Sequence, residues 1–179
     1  MINFRKPTND EKKIIIKELN YWVGRTHTKT FLEKFTLIIA EGNWKEALLV
    51  EKQTAQKLFK EDIEPYTIGL GLGEFKKNNF LLGLPIGSFL VNKTTKKAIV
   101  SKKAEQLFLY QNNLYCQAFK TFPESINKND KLLIINQNND FLGIGKLIIE
   151  PFKVFSEEYR KDIAVINLID LGWYLRKGK

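Results

Sequence analysis

The residue types that most often do covalent chemistry are scarce in this sequence. It holds one histidine, His27, and one cysteine, Cys116. A structural zinc site needs about four ligands, usually thiolates and imidazoles, so this inventory argues against zinc. One cysteine also rules out an internal disulfide. His27 lies in the polar stretch "GRTHTKT", read here as a loop. Cys116 lies in an apolar strand pattern and reads as a small buried hydrophobe rather than a nucleophile. Glu41, Glu46 and Glu51 are dispersed and read as solvated acids rather than a catalytic pair. "GLGLGEF" (69–75) spaces its glycines as G-x-G-x-G, not as a dinucleotide fingerprint, and no phosphate-loop Lys-Ser/Thr follows. Its alternate glycines instead leave one strand face bare for another backbone or helix to approach. The expectation is therefore a protein with no catalytic residues, no metal and no cofactor.

What the sequence does supply is positive charge. The net charge is +9, and it is uneven. Residues 1–91 carry 14 Lys and Arg against 11 Asp and Glu, whereas residues 92–179 carry 15 against 9. Such asymmetry suggests a polyanionic partner for the second half. The duller account is a lysine-rich surface that serves only solubility.

The elements that must position this charge divide the chain in two. Hydrophobic residues make up 44% and charged residues 27%, an ordinary globular mix. In the first half, Thr8-Asn9-Asp10-Glu11 reads as a capping box opening a helix. Ile15, Leu19 and Trp22 give that helix an apolar face, and Gly24 is its expected stop. "FTLIIAEGNWKEALLVEK" reads as a hairpin turning at Glu41-Gly42-Asn43. Thr54 opens a short helix expected to point Leu58 and Phe59 inward, and "PYTIGLGLGEFKKNNFLLGLPI" reads as two more strands. With no regular βαβ period, the expected class is α+β with an antiparallel sheet.

"VNKTTKKA" (91–98) is poor in large apolar groups and reads as a boundary. Beyond it come a short strand, the helix "KKAEQLFLY", and the strands "LYCQAF", "KLLIINQ", "LGIGKLII" and "AVINLI", punctuated by Asn-Asn and Gly. This spacing suggests a small barrel. There is no repeat or low-complexity tract. The longest apolar run, Phe80 to Val91, is too short and too broken to span a bilayer. With a charged N-terminus the expectation is a cytoplasmic protein with no membrane partner.

Three segments in order, "KKAEQLFLYQNNLY" (102–115), "DFLGIGKL" (140–147) and "DLGWYLRKGK" (170–179), together resemble a PUA domain. That is the pseudo-barrel RNA-binding module of pseudouridine synthases and archaeosine transglycosylases. "IGLGLGEFKKNNFLLGLP" (68–85) ahead of it resembles the pre-PUA domain of large-subunit ribosome-biogenesis factors of the nip-seven type, in an archaeal form. "AEQLFLYQN" is similar to that family's "AEQ-x-FLYGN". The resemblance implies a pre-PUA α+β domain over residues 1–91, an antiparallel sheet with flanking helices. A PUA-type β pseudo-barrel follows over residues 93–178.

It also implies a non-catalytic role in binding precursor rRNA, at single-stranded or loop regions, during large-subunit assembly. Assembly factors and exosome components are the implied protein partners. The family's RNA face is the basic side of the barrel near its last strands, which here supplies Lys153, Arg160, Lys161, Arg176 and Lys177, with Lys146 beside the "LGIG" turn. Trp173, read as the outward residue of a terminal strand, is the expected base-stacking platform, with Tyr174 turned into the core. Phe108 and Tyr110 are expected in the barrel core. Arg176 faces either phosphate or Asp170. Glu157, Glu158 and Asp162 dilute the charge of Arg160 and Lys161. This chain departs from the family pattern at Gln111 and at Gln117-Ala118, where glycines are usual. Two rival readings remain: a protein-docking adaptor with little RNA affinity of its own, and an RNA-modification enzyme or its accessory subunit.

Overall fold

The computed structural model describes residues 2–61, 65–77 and 79–177, with the side chain of Lys177 outside the described set. The chain divides into two units, Met1–Lys93 and Thr94–Lys179.

The first unit contains β1 (Asn3–Arg5), α1 (Asn9–Lys34), β2 (Phe35–Glu41), β3 (Lys45–Glu51), α2 (Lys52–Lys60), β4 (Leu70–Lys76), β5 (Asn79–Leu82) and α3 (Leu84–Leu90). The five strands pair antiparallel in sequence order. The capping box forms as the sequence predicts: the Glu11 amide donates to Thr8 Oγ1 at 3.3 Å, and the Thr8 amide donates to the Glu11 carboxylate at 2.7 Å. Ile15, Leu19 and Trp22 are buried.

Gly24, with φ 75 and ψ 167, breaks α1 as the sequence predicts, but a second helical stretch follows at once, so "GRTHTKT" is helical rather than a loop. The second half is held because Thr28 and Phe31 are buried, with the Phe31 ring 5.0 Å from that of Phe89 in α3. His27 stays exposed, on a helix.

On one face of the sheet, Ile38, Ala40, Leu48 and Val50 pack with Ala55 and Leu58 of α2. The alternate residues Leu37, Ile39, Ala47 and Leu49 are buried on the other face, as period-two strands require. Phe59 departs from expectation: it is 42% exposed, because Ala55 and Leu58 already occupy the inward stripe of a nine-residue helix. Leu84-Pro85-Ile86, expected in a strand, opens α3, with Pro in the first turn where no amide partner is needed. A side chain at Gly71 would meet the Pro85 ring, so the bare glycine strand is where α3 lies close.

The second unit contains β6 (Lys97–Val100), α4 (Lys102–Leu109), β7 (Leu114–Tyr115), β8 (Phe119–Thr121), β9 (Lys131–Ile135), β10 (Phe141–Leu147), β11 (Ile163–Asp170) and α5 (Gly172–Lys177). "LYCQAF" is not one strand: a 3-10 turn at Cys116–Ala118 separates β7 from β8. The strands run β7-β11-β10-β9-β6-β8, with β6 and β9 parallel, and form a nearly closed, barrel-like sheet. Val100, Phe108, Leu132, Ile134, Leu142, Leu147 and Val165 lie in its core. Fold class is thus α+β with an antiparallel sheet first and a PUA-type barrel second.

α4 is closed at both ends. The Ala104 amide donates to Ser101 Oγ at 3.4 Å. At the other end the Gln111 amide donates to the Phe108 carbonyl at 2.9 Å and the Asn112 amide to the Leu107 carbonyl at 3.1 Å. That pair is a Schellman motif, whose closing residue adopts the left-handed conformation usually given to glycine. Gln111 does so, with φ 67. Its side chain therefore carries a local cost of about 1 kcal/mol. Gln111→Gly is expected to raise the unfolding free energy by up to that amount, read as a higher urea midpoint with unchanged slope.

The terminal segment corrects the sequence reading most. "GWYLRK" is helix, not strand, so the expected alternation of Trp173 outward and Tyr174 inward does not exist. Both rings are at the surface, 39% and 51% exposed, packed edge to face with centroids 5.2 Å apart. Tyr110, also expected in the core, is 74% exposed, whereas Phe108 is fully buried.

The helix follows from Asp170 and Arg176. Arg176 Nη1 and Nη2 each donate to the Asp170 carboxylate at 3.0 Å. Six residues of strand would hold the two about 20 Å apart, whereas helical turns shorten the span to about 9 Å.

Candidate nucleic-acid interface

Between β10 and β11 the chain runs through two 3-10 turns, Pro151–Lys153 and Glu157–Tyr159. Val154 is buried in the barrel core, and Ile149 and Tyr159 pack against it. With Val154 filling that place, Phe152 and Phe155 on either side are left 75% and 63% exposed. Lys153 lies between them, its Nζ 4.3 Å from the centroid of the Tyr159 ring, within cation–π range.

The far end of the segment is stitched to the turn after β7. The Cys116 amide donates to the Asp162 carbonyl at 3.0 Å, and the Gln117 amide to the Arg160 carbonyl at 3.2 Å. The Arg160 guanidinium donates to Gln117 Oε1 at 3.3 Å and reaches Glu157 Oε2 at 3.4 Å. Both Arg160 and Glu157 are solvent-exposed, so this pair contributes about 0–1 kcal/mol and leaves the guanidinium available to a stronger anion. Lys161 is exposed beside it, and Tyr115, paired with Ile163 across the strands, is 44% exposed. Gln117, the first residue of the Gln117-Ala118 departure, accepts from the Arg160 side chain.

The site residues read from the sequence fall on three separate elements. Lys153, Arg160 and Lys161 share the 151–162 segment. Lys146 sits in β10, opposite Lys131 of β9 and Ile166 of β11. Trp173 and Arg176 sit on α5, where Arg176 also donates to the Leu109 carbonyl at the end of α4. Asn167 Nδ2 donates to the Phe108 carbonyl at 2.8 Å and to Asp170 Oδ2 at 3.1 Å. The Leu109 carbonyl, left without an intrahelical partner at the helix end, is thus satisfied by Arg176, and the Phe108 carbonyl gains a second donor beside the Gln111 amide. A side chain at Gly172 would run into the Leu109 carbonyl. The D-x-G-x-x-x-R spacing is accordingly a clasp on α4, which accounts for Arg176 without an outside partner. The Lys177 side chain lies outside the described residues.

Sequence reading missed Phe152, Phe155 and Tyr159. The signal was there in "PFKVF", an aromatic-basic alternation between two strands. Burial, with the Asp162 carboxylate adding to it, pushes the Cys116 thiol above its ordinary range, away from thiolate chemistry. Among the described residues no three His, Cys, Asp or Glu side chains cluster to hold a metal, and no helix is long and apolar enough to cross a membrane.

Comparison with known proteins follows the same division. Residues 96–179 match the sequence model of the UPF0113 PUA domain, and residues 4–84 match that of the NIP7/UPF0113 pre-PUA domain. No curated relative matches the chain at a significant level. Among solved structures, a hypothetical protein from the hyperthermophilic archaeon Pyrococcus horikoshii OT3 is similar with a TM-score of 0.65 at 14% identity, over 98% of this chain and 99% of that one. A PUA domain from Aeropyrum pernix K1, solved as a tartrate complex, is similar with a TM-score of 0.67 at 14% identity, over 96% and 88%. A PUA domain protein from Thermoplasma acidophilum gives 0.58 at 14% identity, over 93% of each chain. At these identities the likeness is one of fold.

Proposed function

The chain belongs to the NIP7/UPF0113 family, and from that premise we propose that it is a non-catalytic RNA-binding protein of ribosome biogenesis, acting on precursor rRNA of the large subunit. The observation that carries this reading is the 151–162 segment, where Lys153, Arg160 and Lys161 stand among the exposed rings of Phe152 and Phe155. Cations that track a phosphate backbone, interleaved with rings that stack bases, are the working parts of single-strand recognition. The target is a single-stranded or loop region, because A-form grooves hide base edges from side chains and splayed bases do not. The segment offers binding and positioning and no group to form or break a bond. We assign Arg176 to the clasp and leave Trp173 outside this face, since α5 follows Asp170 at the end of the β10–β11 pair opposite the 151–162 segment.

A docking adaptor is the second reading, favoured by the exposed apolar residues Leu175, Tyr110 and Tyr174 of the clasp region. Fluorescence anisotropy with oligouridylate, oligoadenylate and duplex RNA separates the two. The single strands are expected to bind more tightly than the duplex. Phe152→Ala with Phe155→Ala is expected to weaken them at least tenfold, since each lost stack is worth about 1–3 kcal/mol, while leaving the salt dependence unchanged. No binding at low salt would favour the adaptor.

A further inference from the structure

We propose that the first unit carries a nucleotide-binding groove of its own, formed between α2 and the start of β2, which takes one nucleotide of single-stranded RNA. The groove has a volume of about 420 Å³, within the range of small-ligand sites. Its rim holds Lys6, which follows β1, and Lys52 and Lys60 of α2. Phe59, Gln56 and Thr36 face the same space. The helix residues among these recur at the spacing of one α-helical stripe, next to the inward stripe of Ala55 and Leu58.

Three features select the occupant. Among the described residues the lining has three ammonium groups and no carboxylate, and none of the three makes an ion pair, so the groove suits an anion. Phe59 presents a ring at the surface rather than in the core, with Lys6 Nζ 5.7 Å from its centroid. A flat ring beside a cation suits a planar base joined to a phosphate, since every base has a face that stacks. Gln56 and Thr36 add an amide and a hydroxyl, each able both to donate and to accept, for a base edge or a ribose hydroxyl. An acidic peptide would use the lysines but leave the ring idle.

The inference extends the RNA-binding reading of the second unit and rests on it. The test is amide chemical-shift mapping of the full chain with hexauridylate, and with hexaglutamate as the competing anion. Hexauridylate is expected to shift the amides of residues 52–60 and of Lys6 as well as those of 151–162. In a Lys153/Arg160/Lys161→Ala background, Phe59→Ala is expected to weaken the remaining affinity about tenfold, and Phe59→Trp to restore it. Shifts confined to 151–162 would overturn the groove and leave the proposed function standing. Shifts in neither region would overturn both. Equal shifts of the groove with hexaglutamate would overturn the nucleotide assignment in favour of an acidic peptide.

Discussion

Asp170→Ala is expected to lower the unfolding free energy by about 3–5 kcal/mol, the usual cost of removing one partner from a buried ion pair. Asp170 is 1% exposed and holds both arms of the Arg176 guanidinium together with the Asn167 amide. Its loss leaves Arg176 beside the Leu109 carbonyl with no charge partner and frees α5 from α4. A fall in the urea midpoint followed by circular dichroism measures this. Two companion variants separate the clasp from a general core effect. Gly172→Ala is expected to be strongly destabilising although it removes no interaction, because the new methyl group collides with the Leu109 backbone. Arg176→Lys keeps the charge but loses the two-pronged geometry, and is expected to retain only part of the stability. An Asp170→Ala loss below about 1 kcal/mol would show that α5 is held by something else.

Glu11→Gln is the second large effect, in the other unit. The Glu11 carboxylate accepts from Arg5 Nη1 and Nη2, each at 2.8 Å, and from the Thr8 amide, and it pairs with Lys45 Nζ. It thereby joins β1, the start of α1 and the β2–β3 hairpin. Neutralising it strips Arg5 and Lys45 of their shared anion, leaving only the half-exposed Glu41. A cost of about 3 kcal/mol is expected.

The pH dependence has a definite sign. Hydrogen bonds from Arg5, opposed by burial and reinforced by Lys45 and the Thr8 amide, hold the Glu11 carboxyl well below the usual carboxylate range. The unfolded chain therefore takes up a proton that the folded chain refuses. The stabilisation is complete above the unfolded value of about 4.3 and is lost as pH falls from there towards the lower folded value. The stability gap between the wild type and Glu11→Gln is accordingly expected to be constant above about pH 5 and to shrink on acidification below it. A gap independent of pH from 6 to 3 would contradict the assignment.

Features written in short stretches of sequence were legible. The Thr8–Glu11 box, the hairpin at Glu41-Gly42-Asn43 and the bare glycine strand each depend on neighbours within a few residues, and each forms. The terminal helix was not legible, because its cause is long-range: Arg176 reaches a carbonyl 67 residues earlier in the chain. Tyr174 was misplaced for the same reason, since the helix abolishes the strand alternation, whereas Tyr110 caps α4 two residues after Phe108 has filled the core. Gly24 was legible as a break, whereas the helical turns after it, held by the burial of Phe31, were not. At the interface, Lys153, Arg160 and Lys161 were legible as charge. Phe152 and Phe155 were not, because an apolar residue in a sequence does not say whether a neighbour such as Val154 has already filled the core.

The central claim is that cations of the 151–162 segment contact phosphate. The salt dependence of oligouridylate binding, measured for the wild type and for the Lys153/Arg160/Lys161→Ala variant, tests it most directly. Each neutralised phosphate contributes about −0.7 to the slope of log K against log salt on a single strand. The account predicts a slope shallower by about 2 in the variant, with weaker binding at low salt. Equal slopes and equal affinities for the two proteins would contradict it and move the RNA face off this segment.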